Sequence, residues 1–160
     1  MAAADETFEK VDAGASETYP IRAGEVKKGH YLVIKGFPCK VIELTTSKTG
    51  KHGHAKANIT ALDIFTNKKY EEICPTSHNM TAPNVTKTEY TIMDINDEAF
   101  VSLMSEEGEE REDLTWPTPE LNKELAERLE AVKADILEGE KSWIAIVQKA
   151  MGREGIIAIR

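Results

Sequence analysis

Residues 31–44 have the sequence YLVIKGFPCKVIEL, and this stretch decides the prediction of the fold. Its two ends, 31–35 and 39–44, are rich in the β-branched, aromatic and apolar residues that favour strands. Gly36-Phe37-Pro38 lies between them and predicts a turn, because Gly and Pro interrupt regular structure. The stretch is therefore predicted to be a β-hairpin.

The same β pattern continues along the chain on the carboxyl side of this hairpin. Several short strands at close spacing predict small closed sheets or barrels. The further predicted strands are 57–65, 70–74, 90–95, 99–104, 143–147 and 156–159.

One helix is predicted between the strands of the second half. Thr118 suits the N-cap and Pro119 the first helical position, while Gly139 is a plausible stop. The apolar face of this helix repeats every three or four residues and comprises Leu121, Leu125, Leu129, Val132 and Ile136. Five strands with a helix between the third and the last pair are compatible with an OB-type barrel.

The charge of this 160-residue, 17.8 kDa chain is unevenly distributed, although the total is −8. Residues 1–19 contain one basic and five acidic residues, residues 20–84 ten basic and five acidic, and residues 85–160 nine basic and eighteen acidic. A boundary near residue 84 therefore separates a basic half from an acidic half. This asymmetry indicates that the basic half meets a polyanion, unless the charge is merely scattered over one fold.

Several classes of protein are disfavoured by the sequence. The longest apolar run, 143–147, has five residues, far fewer than the ~20 of a membrane-spanning helix. The amino-terminal residues lack the basic start and apolar stretch of a secretory signal. Cys39 and Cys74 do not make a disulfide framework, so we expect two buried, reduced thiols in a cytosolic protein. We find no catalytic constellation and predict that the chain is not an enzyme.

Residues 47–56, SKTGKHGHAK, are the most informative segment for function. They contain three lysines and two histidines, and no acidic residue occurs between Glu43 and Asp63. Gly50 and Gly53 flank Lys51 and permit a tight turn there. Because strands are predicted on both sides, the segment is expected to be a basic hairpin tip. If about four residues on each side are extended, the tip stands roughly 13 Å clear of the barrel.

Four interpretations of this tip differ in chemistry. A phosphate-binding P-loop is disfavoured, because Thr45 replaces the required Gly and His52 the required Ser or Thr. A metal site built on His52 and His54 lacks further ligands. An ordinary solvated basic loop and an RNA-contacting finger both remain open, since lysine binds phosphate as a compact charge and histidine stacks or donates a hydrogen bond.

Residues 47–56 resemble the hypusine loop of the eukaryotic translation initiation factor 5A family. The resemblance continues through 63–66, 68–71 and 73–80 and later through 108–114 and 150–151, so it covers roughly residues 18–155. It implies a mainly β chain with a flexible acidic tail (1–18), an SH3-like barrel (19–84) and an OB-fold domain with one helix (85–160). Residues 76 and 77 are Thr-Ser where the family commonly has Ser-Thr.

The resemblance also implies the function and its residues. Lys51 falls on the lysine that deoxyhypusine synthase modifies with an aminobutyl group from spermidine and that deoxyhypusine hydroxylase converts to hypusine. The implied partners are the exit site of the ribosome and peptidyl-tRNA, and the implied role is peptide-bond formation at stalled, proline-rich sequences, with elongation and termination. The implied location is the cytoplasm. We expect the protein to use no cofactor and no metal, and not to bind a membrane. The residues expected to contact RNA or the modifying enzymes are Lys48, Thr49, Gly50, His52, Gly53, His54 and Lys56.

The alternative is a generic RNA-binding module that uses the OB-fold. Such a module needs a basic groove with stacking aromatic residues. Residues 85–160 have an excess of nine acidic residues, and their aromatic residues are Tyr90, Phe100, Trp116 and Trp143. The sequence therefore predicts that the basic half provides the anchoring contacts.

Overall fold

Two separate hydrophobic cores organise the chain in the structure, a computed structural model that describes residues 17–48 and 55–160. The chain divides into two compact units between Val85 and Thr86. The predicted acidic tail lies outside the described residues except for its last two positions, and so do residues 49–54.

The first unit is built from antiparallel strands around a core of small and branched apolar side chains. A four-stranded sheet has the order β2-β3-β4-β5, and β1 pairs with β6 in a separate two-stranded sheet. The core includes Leu32, Ile34, Val41 and Ile59, which are almost completely buried. The elements are β1 (Thr18–Arg22), a 3-10 turn (Ala23–Glu25), β2 (Tyr31–Ile34), β3 (Phe37–Lys48), β4 (Ala55–Asp63), β5 (Lys69–Pro75) and β6 (Asn79–Pro83).

The second unit is a five-stranded antiparallel sheet with one helix. The strand order is β11-β10-β7-β8-β9, so β9 and β11 form its two edges. Its core contains Val101, Leu103, Val147 and the indole of Trp116, and the helix packs Leu129 against them. The elements are β7 (Thr86–Ile95), β8 (Phe100–Met104), β9 (Glu110–Thr115), α1 (Lys123–Glu138), β10 (Ile144–Ala150) and β11 (Arg153–Ile159).

The mainly β architecture is confirmed, but the predicted start of the helix is wrong. Asn122 is the N-cap, and its side-chain oxygen accepts a hydrogen bond from the Leu125 N–H at 3.1 Å. Thr118 instead closes a separate turn, because its carbonyl accepts the N–H groups of Leu121 and Asn122. Leu121 consequently precedes the helix and is exposed, whereas the predicted stop at Gly139 is confirmed by its left-handed backbone.

Two boundaries of the first unit also differ from the prediction. The turn between β2 and β3 is Lys35-Gly36, where both residues have positive φ, as a two-residue type I′ hairpin requires. Phe37 and Pro38 therefore begin β3 rather than ending a turn. Strands β1 and β6 were missed, because Pro20 and Pro83 interrupt their β pattern.

The two cysteines agree with the expectation of buried, reduced thiols. Cys39 and Cys74 are free thiols, both buried in the first core. Burial and, to a lesser extent, the nearby charge of Asp63 raise the pKa of the Cys39 thiol to about 12. Within residues 17–48 and 55–160, no helix has the length and apolar character that a membrane span requires.

Candidate functional site

Strands β3 and β4 form the base of the predicted basic loop. Lys48, the last residue of β3, pairs with Ala55, the first residue of β4, and Ser47 pairs with Lys56. The antiparallel ladder therefore continues up to both ends of the six-residue segment 49–54. Lys48 and Ala55, the residues on either side of this segment in the sequence, are therefore neighbours on adjacent strands.

Lys48 and Lys56 flank this loop, and both are exposed. Lys56 is paired with Ser47, and Lys48 is paired with Ala55, one position nearer to the loop. Because successive side chains of a strand alternate between faces, the two ammonium groups extend from opposite faces of the ribbon. A polyanion that approaches the end of the ribbon from either face therefore meets a lysine.

The ribbon is supported by a third strand. β5 pairs with β4 from the pair Leu62 and Lys69 to the pair Lys56 and Pro75. The pairing therefore stops one residue short of Ala55, the first residue of β4. β4 is therefore hydrogen bonded to a neighbouring strand on both of its edges from Lys56 onward. A strand hydrogen bonded on both edges bends less than a free hairpin, so the loop has a firmer base than the sequence predicted.

The 3-10 turn (Ala23–Glu25) and the turn after β5 brace the same end of the ribbon. The Thr76 N–H donates to the Ala55 carbonyl at 2.9 Å, and the Gly24 N–H donates to the Thr76 carbonyl at 2.9 Å. The Ala23 N–H donates to the His78 carbonyl at 2.9 Å and adds a second tie between the two turns. A side chain at Gly24 would have its Cβ only 3.2 Å from the Thr76 oxygen. A glycine therefore allows the close approach that this brace requires.

Only the two ends of the predicted loop can be placed in three dimensions. Lys48 and Lys56 are described, whereas Thr49, Gly50, Lys51, His52, Gly53 and His54 lie outside the described residues. In the part of the chain that the structure describes, no three metal-capable side chains converge. The metal interpretation of His52 and His54 therefore gains no support from the rest of the fold.

The sequence did not predict Gly24 and Thr76 as supports of the loop. They lie 52 residues apart in the chain, and although Thr76 lies in a segment that carries the family resemblance, nothing in that segment predicts a contact with Gly24. Their relation to Ala55 depends on the pairing of β4 with β5, which only the tertiary structure defines. No local signal in the sequence could have identified them.

In the second unit, the conspicuous polar cluster is structural. Arg111 on β9 donates to both carboxylate oxygens of Asp113, each at 2.7 Å, and to Glu154 on β11 at 2.9 and 3.1 Å. Its guanidinium carbon also lies 5.7 Å from the centre of the Tyr90 ring. We call these four residues the Arg111 clamp. It joins the two edge strands of the sheet through side chains.

The electrostatics of the Arg111 clamp follow from these hydrogen bonds. Donation to Asp113 and then to Glu154 raises the pKa of Arg111 above its already high ordinary value. Conversely, the hydrogen bonds from Arg111 lower the pKa of both Asp113 and Glu154. Arg111, Asp113 and Glu154 are therefore all charged at neutral pH, and the guanidinium is already engaged by two carboxylates.

The aromatic residues of the second unit are mostly unavailable to a nucleic acid. Trp116 is 4% exposed and Trp143 packs partly buried against the same core. Tyr90 is covered by Arg111, whereas Phe100 is 36% exposed. This unit does not present the basic, aromatic groove that single-stranded nucleic acids need.

Comparison with known proteins identifies the class. A family model described as Translation initiation factor 5A-like, N-terminal, matches residues 16–78. A second, described as Eukaryotic elongation factor 5A hypusine, DNA-binding OB fold, matches residues 84–160. Together with the two curled sheets, these matches confirm the predicted pair of small barrels with a carboxyl-terminal OB-fold and place the chain among translation factors.

Full-length relatives agree with both models. The eukaryotic translation initiation factor 5A of Dictyostelium discoideum is 46% identical over 155 residues, which are 97% of this chain and 92% of the relative. That of Drosophila melanogaster is 45% identical over 160 residues, 100% and 96% of the two chains. A solved translation initiation factor eif-5a family protein from Naegleria fowleri is 56% identical with a TM-score of 0.78, and the match covers 91% of this chain and 99% of that one. The chain belongs to the eukaryotic translation initiation factor 5A family, whose members are named as translation factors and not as enzymes.

Proposed function

We propose that this chain is a hypusine-bearing translation factor that binds the exit site of the ribosome and acts on peptidyl-tRNA. Lys51 carries the modification and reaches the acceptor end of the tRNA, where it promotes peptide-bond formation at stalled, proline-rich sequences and assists elongation and termination. The observation that carries the proposal is the braced ribbon of β3 and β4, which ends at Lys48 and Ala55 on either side of the segment with Lys51.

The modification is a group transfer to the Lys51 Nζ. A carbon–nitrogen bond of spermidine breaks, the aminobutyl carbon forms a new bond to the Nζ, and the remaining diamine leaves with the proton that the Nζ gives up. Deoxyhypusine synthase catalyses this step. Deoxyhypusine hydroxylase then converts one carbon–hydrogen bond to a hydroxyl group, with molecular oxygen as the oxidant and a two-electron reductant that turns the second oxygen atom into water. This chain is the substrate of both enzymes, so it contributes a presented lysine and no catalytic group or cofactor of its own.

The proposed mechanism is positional. A lengthened side chain with a second amine reaches further than lysine and carries an additional positive charge, which suits contact with a nucleic-acid backbone without reading bases. Holding the acceptor end in a reactive geometry lowers the entropic part of the barrier to peptide-bond formation. The third strand and the brace at Thr76 support this role, because a positioning arm must itself be held in place.

The charge distribution supports the first unit as the anchoring part. Lys48 and Lys56 extend from opposite faces of the ribbon, and residues 44–62 contain no acidic side chain. The remaining loop residues, Thr49, Gly50, His52, Gly53 and His54, are proposed to contact RNA or the modifying enzymes. The alternative of a generic OB-fold module is disfavoured, because Trp116 is buried and Tyr90 is covered by Arg111. Phe100 is exposed, but it lies in a unit with an excess of nine acidic residues. Action on cytoplasmic ribosomes places the factor in the cytoplasm.

Replacing Lys51 while its charge is kept tests the proposal. Lys51→Arg preserves the positive charge but removes the amine that accepts the aminobutyl group. We expect the variant to fold normally, to take up no label from labelled spermidine, and to fail to support growth when it is the cell's only copy. The matched control is Lys28→Arg, an exposed lysine outside the predicted loop, which we expect to be labelled at Lys51 and to support growth.

The modification should also be visible directly. Intact-mass and peptide-mass analysis of the native protein should locate the added mass on the peptide that contains Lys51. Full growth with Lys51→Arg, or an unmodified Lys51 in protein from its own actively translating cells, would overturn the proposal.

A further inference from the structure

A group of basic and aromatic side chains lies at the end of the first unit opposite the loop. β3 has 12 residues and runs from Phe37 at this end to Lys48 at the loop, a separation of roughly 35 Å. The group consists of Lys35, Phe37, Lys68, Lys69 and Tyr70, and we call it the ring–lysine patch. The proposed function leaves it unused.

The two rings of the patch form a stack. The centres of the Phe37 and Tyr70 rings are 5.4 Å apart, with an angle of 16° between the planes. The Lys68 Nζ lies 5.5 Å from the centre of the Tyr70 ring. Tyr70 is half-buried, whereas Phe37 is 39% exposed. Phe37 is therefore the solvent-exposed member of the stack, and it packs on the half-buried ring of Tyr70.

A groove of about 440 Å³ lies beside this stack and is lined by Lys35, Lys69, Tyr70 and Glu71. Lys35 and Lys69 supply two ammonium groups. The Lys69 Nζ is 3.9 Å from a Glu71 oxygen, an exposed ion pair of little strength that a stronger anion could displace. The groove thus combines an aromatic wall with two cations, at an end of the sheet where β2 and β5 approach each other.

The backbone around the patch is held by specific hydrogen bonds. The Asp63 carboxylate is buried and accepts the N–H groups of Phe65 at 2.7 Å and Thr66 at 3.1 Å, which fixes the turn before Lys68. The Ile64 N–H donates to the Pro38 carbonyl at 3.0 Å, so this turn is tied to the start of β3 next to Phe37. The ring stack is therefore preorganised, which reduces the entropy lost on binding.

We propose that the ring–lysine patch is a second RNA contact, which takes a single-stranded segment with a phosphate between Lys35 and Lys69 and a base on the exposed face of Phe37. The choice of RNA rests on the proposed ribosome-binding function. Stacked aromatic surface beside cations is the combination with which proteins bind unpaired bases. An acidic peptide would match the lysines but would leave the flat ring without a partner.

The test measures binding of a fluorescent oligouridylate to the full-length chain by anisotropy. Every protein carries Lys51→Arg and comes from a host without the synthase, so that failure of the hypusine proposal does not affect the result. Phe37→Ala should weaken binding by at least about fivefold, the loss expected when one stacked base is released. Phe100→Ala is the matched control, since Phe100 is similarly exposed at 36% but lies in the acidic unit, and it should change the affinity less than about twofold.

Salt dependence tests the lysines. Replacing Lys35 and Lys69 together by Gln should reduce the slope of log K against log salt by about 0.7, because the one phosphate held between them contributes about 0.7 in a single strand. The control is the double replacement of Lys27 and Lys28 by Gln, which removes the same charge from exposed sites elsewhere in this unit and should leave the slope nearly unchanged. Ultraviolet cross-linking should attach the oligonucleotide to Phe37 or Tyr70.

Three outcomes would overturn this inference. The first is an equal effect of Phe37→Ala and Phe100→Ala. The second is cross-linking confined to residues 47–56, which would leave the proposed function intact. The third is equal competition by polyglutamate with no effect of losing the ring, which would indicate a surface for an acidic protein. If Phe37→Ala unfolds, Phe37→Leu keeps the apolar volume without the flat ring and should show the same loss of binding.

Discussion

Removing the positive charge of Arg111 should destabilise the second unit in a pH-dependent way. Arg111→Met keeps the apolar stem of the side chain and removes the guanidinium that joins β9 to β11 through Glu154. The variant leaves the Glu154 carboxylate, whose side chain is 28% exposed, without its cation. An unpaired, partly buried carboxylate is the main source of the expected destabilisation.

The magnitude follows from the exposure of each pair. The Arg111–Glu154 pair joins side chains that are 22% and 28% exposed through two hydrogen bonds, so we assign it about 1.5 kcal/mol of unfolding free energy. Asp113 is 62% exposed, so its pair is largely screened by solvent and adds about 0.5 kcal/mol. A loss of about 2 kcal/mol should lower the Tm of a unit of this size by about 8 to 16 °C.

Tryptophan fluorescence is a selective assay for this change. The chain has two tryptophans, Trp116 and Trp143, and both lie in the second unit. Urea unfolding followed by their emission therefore reports the unit that contains the Arg111 clamp. Arg128→Met is the control, because it removes the same charge from an exposed site on the helix. We expect the control to change the free energy of unfolding by less than about 0.5 kcal/mol.

The dependence on pH gives the sharper test. Arg111 lowers the pKa of Asp113 and Glu154 in the folded state, so its contribution is complete above their ordinary pKa values and is lost as pH falls through the lowered ones. The difference between wild type and Arg111→Met should therefore be largest at neutral pH and shrink in acid. A difference below about 0.5 kcal/mol at pH 7, or one that does not change with pH, would refute the reasoning.

Three further predictions concern a cap, a close contact and a buried thiol. Asn122→Ala should lower the free energy of unfolding by about 1 kcal/mol in the same fluorescence assay, because Asn122 caps the helix. Thr118→Ala should lower it less, and a larger loss for Thr118→Ala than for Asn122→Ala would support the helix start predicted from the sequence. Gly24→Ala should push against the Thr76 carbonyl and speed amide exchange at Thr76, as measured by NMR; unchanged exchange would show that the contact is not tight. Native Cys39 should resist iodoacetamide at pH 8, because its pKa is raised to about 12, and react promptly in denaturant; fast native alkylation, detected by mass spectrometry, would contradict its burial.

Local patterns predicted the features whose causes are local. The apolar repeat of the helix is confirmed from Leu125 to Ile136, since Leu125, Leu129 and Ile136 are buried, whereas the predicted first member, Leu121, is exposed. The hairpin of β2 and β3 is confirmed as well, because Gly36 and the flanking apolar runs determine it over a few residues. The helix start was wrong, since Thr118-Pro119 and Asn122 are both plausible caps and only tertiary packing decides between them.

Features that depend on distant pairing could not be predicted. Arg111 and Glu154 are 43 residues apart, and only the sheet order of the second unit brings them together. Phe37 and Tyr70 are 33 residues apart and meet because β2 to β5 curl around one core. For the candidate site, the sequence and the family resemblance point to Lys51, while the support at Thr76 became visible only in the structure.

Strand β4 connects the two ends of the first unit and constrains its evolution. The side chain of Lys56, next to the loop, faces outward, whereas that of Asp63 faces the core. They lie on opposite faces of the strand because the two residues are an odd number of positions apart. Inserting or deleting one residue between them would place both side chains on the same face of the sheet, unless a β-bulge absorbed the change. Either the Asp63 carboxylate would become exposed or the Lys56 ammonium would be turned towards the core. Length variation among descendants of this chain should therefore accumulate outside β4, and the two ends of the strand should be inherited as one unit.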